Sequence, residues 1–170
     1  ETLHITCDFN VGTMMWCLAH VTANKVFFFD EIVLENVTTE DTIQEVIRRY
    51  PDHKGAIIIN GDAAGTFRNT QSEIDNYKII VNALRRHYPK NQIHVVIRPS
   101  NPRIKHRITV WNNMVLDPRG QRRIIIDPKC KWLLYNMEEL KYKPGTDIID
   151  LPTHQNLRDD NEKRFLMHIF

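Results

Sequence analysis

The chain has 170 residues, 42% of them hydrophobic and 26% charged, and its net charge at pH 7 is +2. These values are typical of a globular domain and exclude a disordered chain. No apolar run approaches the roughly 20 residues that cross a bilayer, so we expect no membrane partner. We also expect no signal peptide before the first strand. The three cysteines, Cys7, Cys17 and Cys130, form no CxxC pair, which favours an intracellular compartment over a disulfide scaffold or a cysteine-rich zinc site.

The first third of the chain predicts an antiparallel meander, because short turns separate three runs of β-branched and aromatic residues. These runs cover about residues 3–9, 14–21 and 25–34. Thr39 is then expected to cap a helix that ends at Pro51.

The middle of the chain predicts a strand–helix–strand unit. AIIIN, from Ala56, and IHVVI, from Ile93, are apolar β-branched runs of the kind buried on both faces of a sheet. A helix through Tyr77 and Leu84, with Ser72 as its predicted cap, connects them. Crossovers of this length join parallel strands, so we expect a mixed α/β sheet with helices on its faces.

The remainder predicts a helix, a β-hairpin and two more helices. The first helix covers about 101–113, and MVLDPRGQRRIII forms the hairpin around 118–120. A helix over about 129–141 follows, and the last begins at 159 or 160. Neither a repeat nor a domain boundary interrupts the sequence, so we expect one domain over 1–170.

Basic residues are concentrated between residues 98 and 131. This segment contains nine lysines and arginines but only two acidic residues, both aspartates, so its local charge is +7. Surface lysines and arginines usually form only a solvated face. Their concentration in one-fifth of the chain is more typical of a surface that binds nucleic acid.

Two carboxylates sit directly on apolar strands. Asp8 ends the first strand, and Asp62 follows the first strand of the strand–helix–strand unit. Aspartate is depleted in strands, so Asp8 is either a solvated edge residue or a metal ligand, and Asp62 is either a turn residue or a second ligand. If the two strands are neighbours, the carboxylates suit Mg²⁺ or Mn²⁺, and two such ions stabilise a phosphodiester displacement.

Three segments together resemble the C-terminal nuclease domain of the large terminase subunit of tailed bacteriophages. They are HITCDFN, IIINGDAAG and MVLDPRGQRRIIIDPKCKWLLYNMEELKYKPG, and the resemblance extends over about Leu3 to Phe170. It implies an RNase H-like α/β fold with a mixed sheet of five or slightly more strands, helices on both faces and a β-hairpin. It also implies a metal-dependent endonuclease that cuts concatemeric viral DNA during genome packaging with two Mg²⁺ or Mn²⁺ ions.

The resemblance assigns roles to particular residues. Asp8 and Asp62 match the first two metal ligands of the family, and His168 matches a catalytic histidine three residues before its third acidic ligand. That ligand is expected immediately after Phe170, on a last helix that this sequence cuts short, or else Asp160 takes its place.

The resemblance also implies the partners. Arg119, Arg122 and Arg123 lie on the hairpin, which in this family stands near the active site, and Arg68 follows Asp62, so all four are expected to bind double-stranded DNA. No GxxxxGK[ST] occurs, so the ATPase motor and ATP belong to another part of the polypeptide. The portal and the small terminase subunit are implied as partners in the cytoplasm of the host cell.

Two alternatives remain open at this stage. Another RNase H-like nuclease, of the resolvase or transposase type, predicts the same metal site with a preference for branched substrates or specific ends. A DNA-binding module without activity predicts that both aspartates are ordinary surface acids.

Overall fold

A computed structural model of the chain describes residues 1–9, 12–66, 75–146 and 150, in which six strands form one mixed sheet and four α-helices flank it. The strands are β1 (Leu3–Asp8), β2 (Thr13–Val21), β3 (Val26–Glu35), β4 (Ile57–Gly61), β5 (Ile93–Val95) and β6 (Ile124–Ile126). The helices are α1 (Thr39–Arg49), α2 (Asn76–His87), α3 (Ile104–Val115) and α4 (Lys131–Glu139). No helix in these ranges is long and apolar enough to cross a lipid bilayer.

The strand order is β5-β4-β1-β2-β3-β6. Strands β1, β2 and β3 form the predicted antiparallel meander, and β4 pairs with β1 in parallel, with Gly61 opposite Cys7. Strand β5 pairs in parallel with β4, as expected of a crossover through α2. The predicted mixed α/β sheet is therefore confirmed, and its size of six strands is slightly above five.

Successive side chains of β2 point to opposite faces of the sheet, and each face has its own apolar core. Trp16 and Leu18 belong to the larger core, which α1 and α2 cover. Met15 and Cys17 belong to a smaller core with Leu133 of α4. The prediction of helices on both faces is thus confirmed for the described residues.

The prediction of a β-hairpin over the segment MVLDPRGQRRIII is wrong. Helix α3 continues to Val115, because Ile108, Trp111 and Val115 line one cavity and keep a helical spacing into the segment that was expected to form the first strand of the hairpin. Strand β6 then pairs with β3, and in parallel. The Asp117 carboxylate organises the intervening turn by accepting hydrogen bonds from backbone N–H groups of that turn.

Smaller differences concern the ends of elements. The cap of α1 is Thr38 rather than Thr39, because Thr38 forms a capping box with Asp41. Helix α2 begins after Asp75, and the predicted cap Ser72 lies outside the described residues, as does the predicted last helix. The predicted buried strand over 93–97 is a short edge strand, after which Val96 is 57% exposed. An apolar run alone does not distinguish an edge strand from a central one.

Two buried acids adjacent on β3 tie the helices to the sheet. The Asp30 carboxylate accepts hydrogen bonds from Arg49 Nη1 at 3.1 Å and Tyr50 Oη at 2.5 Å, which fixes the end of α1. The Glu31 carboxylate accepts the backbone N–H groups of Trp132 and Leu133, each at 2.9 Å, and so caps the start of α4. Neither acid was predicted from the sequence, although each is an acid within an apolar strand, as Asp8 is.

The pKa values of these two acids move in opposite directions. Burial raises the pKa of Asp30, but the hydrogen bonds from Tyr50 and Arg49 outweigh it, and the pKa is lowered. For Glu31 burial is the larger effect, and its pKa is raised despite the two helix N–H groups.

Opposite pH dependences of stability follow from these shifts. Asp30 stabilises the fold fully above its ordinary pKa of 3.8, and this stabilisation is lost as the pH falls through the lowered value. Glu31 costs stability as the pH rises from 4.5 through its raised pKa, because the folded state then holds a proton that the unfolded state has released. We expect Asp30→Asn to flatten the acid limb of a plot of unfolding free energy against pH and Glu31→Gln to flatten the limb above pH 4.5. Urea titrations at a series of pH values measure both, and parallel curves for parent and variants would contradict the assignment.

Candidate active site

The structure brings Asp8 and Asp62 to one cleft. Asp8 is the last residue of β1, and Asp62 directly follows β4. Because β1 and β4 are parallel neighbours with Cys7 opposite Gly61, their carboxyl ends lie side by side. Both aspartates line a cleft of about 390 Å³ at this edge of the sheet, which is where α/β sheets bind ligands.

Asp62 is held through both its side chain and its backbone. Asn101 Nδ2 donates a hydrogen bond to Asp62 Oδ1 at 2.6 Å, and Asn101 Oδ1 accepts one from the backbone N–H of Ala63 at 3.0 Å. Tyr77 donates its hydroxyl to the carbonyl oxygen of Asp62 at 2.7 Å. Burial, followed by the charges of Asp62 and Asp8, raises the pKa of Tyr77, which keeps the hydroxyl protonated as a donor.

Asp8 is anchored by aromatic residues. Trp16, which is fully buried, donates its Nε1–H to the carbonyl oxygen of Asp8 at 3.1 Å. The Phe9 ring contacts Trp16 and Tyr77 edge to face, with ring centroids 6.1 Å and 5.1 Å apart. The neighbouring Cys7 is buried, and burial together with the Asp8 charge raises its pKa well above the ordinary value. Cys7 is therefore a neutral thiol that packs in the larger core.

Gly61 sets the separation of the two strands that carry the aspartates. A Cβ at this position would lie 2.4 Å from the carbonyl oxygen of Cys7 and 2.6 Å from the Tyr77 hydroxyl. The first of these atoms belongs to the backbone of β1 and cannot turn away. The glycine in the sequence NGD thus permits the close approach of β1 to β4.

Gly61→Ala is expected to push β1 and β4 apart and to lower stability by about 1–3 kcal/mol through overpacking. It should also lower the rate of the metal-dependent cleavage proposed below by roughly 10²-fold, because a displacement of about 1 Å in a catalytic group has that effect. Gly145→Ala is the matched control, since its φ of +71° strains the backbone but its Cβ meets nothing within 4 Å. Urea unfolding and cleavage rates measure the two effects, and equal activity of the two variants would contradict the role of Gly61.

The oxygen ligands of the cleft suit a hard divalent cation such as Mg²⁺ or Mn²⁺. Within the described ranges, no third histidine, cysteine or acid joins Asp8 and Asp62 in a group that would hold a metal. Asp160 and His168 lie outside the described residues, as does Arg68. The described residues therefore contribute two candidate ligands, and the assignment of a third stays a prediction.

The structure does not bring Arg119, Arg122 and Arg123 to this cleft. Strand β6, which directly follows Arg123, begins opposite Val26 at the end of the sheet away from Asp8. The separation is roughly 20 Å along the strands at about 3.3 Å per residue. Arg123 is also paired with Asp117, with Nη2 and Oδ2 2.8 Å apart. The prediction that this segment lies beside the active site is therefore wrong. DNA binding by these arginines stays a prediction.

Two arginines that were not predicted as site residues do line the cleft. Arg98 follows β5, and Arg107 lies in the first turns of α3. Both belong to the basic concentration over 98–131, which was the available signal. The sequence does not indicate which of those nine basic residues face the carboxylates, because that depends on the course of the loop before α3.

No protein-family model matches the chain. Solved structures with a similar fold include the large terminase of a thermophilic bacteriophage in complex with ATP-γ-S, with a TM-score of 0.58 and 13% identity over 99% of this chain and 40% of that one. The nuclease domain of the P22 large terminase matches with a TM-score of 0.59 and 9% identity, over 97% of this chain and 80% of that one. The Mn-soaked terminase nuclease domain of human cytomegalovirus matches with a TM-score of 0.53 and 10% identity, over 83% and 74%.

The chain spans less than half the length of the thermophilic phage terminase and most of the length of the two nuclease domains. The fold of the chain is identified by its six-stranded mixed sheet, by the helices on both faces of that sheet and by the extent of these matches. The chain has the RNase H-like α/β fold of large terminase nuclease domains.

Proposed function

We propose that the chain is the nuclease domain of a large terminase subunit, a metal-dependent DNA endonuclease that cuts concatemeric viral DNA during genome packaging. The observation that carries this proposal is the meeting of Asp8 and Asp62 at the ends of adjacent parallel strands, within this fold. The similarity to domains named as terminase nucleases, one of them soaked with Mn, supports it.

Asp8 and Asp62 would hold Mg²⁺ or Mn²⁺, with two ions in the active complex and a third acidic ligand at Asp160 or just beyond Phe170. When bound, the ions supply positive charge next to the phosphate and to the attacking water. In the reaction water adds to phosphorus, one P–O ester bond breaks, and the released oxygen takes up a proton. Asn101 orients the Asp62 carboxylate, and the Trp16 and Tyr77 hydrogen bonds keep both strand ends in place. His168 is the proposed third catalytic residue.

The remaining proposals concern the intact protein. An ATPase motor, which the ATP-γ-S complex of the thermophilic phage terminase supports, would occupy the part of the polypeptide that this chain does not cover. Double-stranded DNA is the proposed substrate, with Arg68, Arg119, Arg122 and Arg123 as its proposed contacts, and the portal and small terminase subunit are further proposed partners. The proposed location is the cytoplasm of the host cell.

Cleavage of supercoiled plasmid in Mn²⁺, Mg²⁺ or EDTA tests the activity. We expect nicked and linear products with either metal and none with EDTA, and comparable cutting of linear duplex. A marked preference for four-way junctions would favour a resolvase instead. DNA binding without cutting, both by this chain and by a form extended past Phe170 to include the expected third ligand, would contradict the nuclease and leave a binding module.

A further inference from the structure

The candidate metal ligands share their cleft with positive charge. Arg98 and Arg107 line it together with Asp8 and Asp62. Carboxylates alone repel a phosphodiester, which is itself an anion. In a cleft that combines the two kinds of group, the carboxylates can bind a cation and the guanidinium groups can bind the phosphate.

Arg107 is directed to the cleft by the packing of its own helix. The next residue, Ile108, is 8% exposed and lines an apolar cavity with Trp111 on another side of α3. Consecutive helical residues point about 100° apart, so burial of Ile108 and partial burial of Trp111 leave Arg107 facing the carboxylate cleft. The orientation of this arginine thus follows from the apolar packing of its helix.

The Arg107 side chain contains a buried polar atom that the protein does not satisfy. Its Nε is buried and has no hydrogen-bond partner among the described residues. A buried N–H without a partner lowers stability, and in a native structure it calls for an explanation such as a ligand. The ligand that suits it is an oxyanion, since the planar guanidinium offers parallel N–H donors that match two oxygens of a phosphate.

We propose that Arg107, together with Arg98 of the same cleft, binds the non-bridging oxygens of the phosphodiester that lies there. This inference rests on the proposed nuclease function and adds to it a substrate-binding residue. Arg107 then neutralises the phosphate from the side of α3, while Asp8 and Asp62 face it from the sheet. The same contact strengthens as negative charge builds up on the phosphate oxygens during displacement.

Arg107→Gln and Arg107→Lys test this inference, with Arg85→Gln, an exposed arginine of α2, as the control for loss of one charge. In Mn²⁺ we expect Arg107→Gln to lower kcat/KM for plasmid cleavage by roughly 10²-fold, as for the loss of one donor to a transition-state oxyanion. Arg107→Lys should recover part of the rate, because it restores the charge without the paired donors. Arg85→Gln should cut like the parent. Full cleavage by Arg107→Gln would overturn the inference.

A measurement without metal separates this inference from the nuclease itself. In EDTA, fluorescence anisotropy of a short labelled DNA duplex gives affinity as a function of salt. We expect Arg107→Gln to weaken binding and to reduce the slope of log affinity against log salt by about 1, and Arg107→Lys to keep the parent slope. Titration with Mn²⁺ alone should give the same affinity for parent and Arg107→Gln. An unchanged slope, or loss of Mn²⁺ binding, would overturn the inference, whereas a changed slope in a protein that cuts nothing would contradict only the proposed nuclease.

Discussion

Asp8→Asn and Asp62→Asn are each expected to lower the rate of Mn²⁺-dependent plasmid cleavage by roughly 10²–10³-fold. Asparagine keeps the size of the side chain but removes the negative charge that holds a divalent cation. A bound metal contributes several kcal/mol of charge stabilisation in a displacement at phosphorus, and each 1.36 kcal/mol corresponds to a factor of about 10 in rate. The two aspartates lie on adjacent strands and line one cleft, so either loss should be sufficient.

Rates on supercoiled plasmid, with circular dichroism to check the fold, measure this effect. Asp52→Asn is the matched control, because Asp52 is an exposed acid in the segment before β4, at the other end of the sheet. It should cut like the parent. If Asp8→Asn or Asp62→Asn cut within a few-fold of the parent, that aspartate would be an ordinary surface acid.

Asp30→Ala is expected to lower the free energy of unfolding by about 1–3 kcal/mol, because it removes the buried acceptor of Tyr50 and one of the two carboxylates that pair with Arg49. Asp30 is 8% exposed and joins β3 to the end of α1. The expected loss is smaller than for a fully buried pair, since the Arg49 side chain is 31% exposed. Urea unfolding at neutral pH measures the change.

Glu40→Ala is the matched control for this prediction. Glu40 pairs with Arg86 across α1 and α2, and these side chains are 43% and 62% exposed. Such surface pairs contribute less than about 1 kcal/mol. Equal losses for Asp30→Ala and Glu40→Ala would show that Asp30 does not tie α1 to the sheet.

The sheet was predictable where side-chain pattern alone determines structure. The run IIIN and the alternation of HITCD indicate strands because apolar residues repeat with the periods of buried and half-buried strands. The parallel pairing of β1 with β4 was not predicted. The metal site was predicted on the condition that these strands are neighbours, because no local sequence pattern indicates which strands pair. Once that pairing exists, the proximity of Asp8 and Asp62 follows from the register.

The failures have physical causes in particular segments. MVLDPRGQRRIII contains a turn signal between two apolar runs, but its first run also continues the helical spacing of α3, and the longer pattern determines the structure. Asp30 and Glu31 were missed because acids are normally exposed, and their partners Arg49 and Trp132 are distant in sequence. Arg107 was visible only as one of many basic residues, because its direction depends on the burial of Ile108.

The most direct test of the central claim is where a divalent cation binds. Crystals of the protein soaked in MnCl₂ and measured for anomalous scattering locate Mn²⁺ without reference to activity. We expect anomalous density between the carboxylates of Asp8 and Asp62, at the ends of β1 and β4, and its loss in Asp62→Asn. A well-diffracting soaked crystal with no density in this cleft, or with Mn²⁺ bound only elsewhere, would contradict the account.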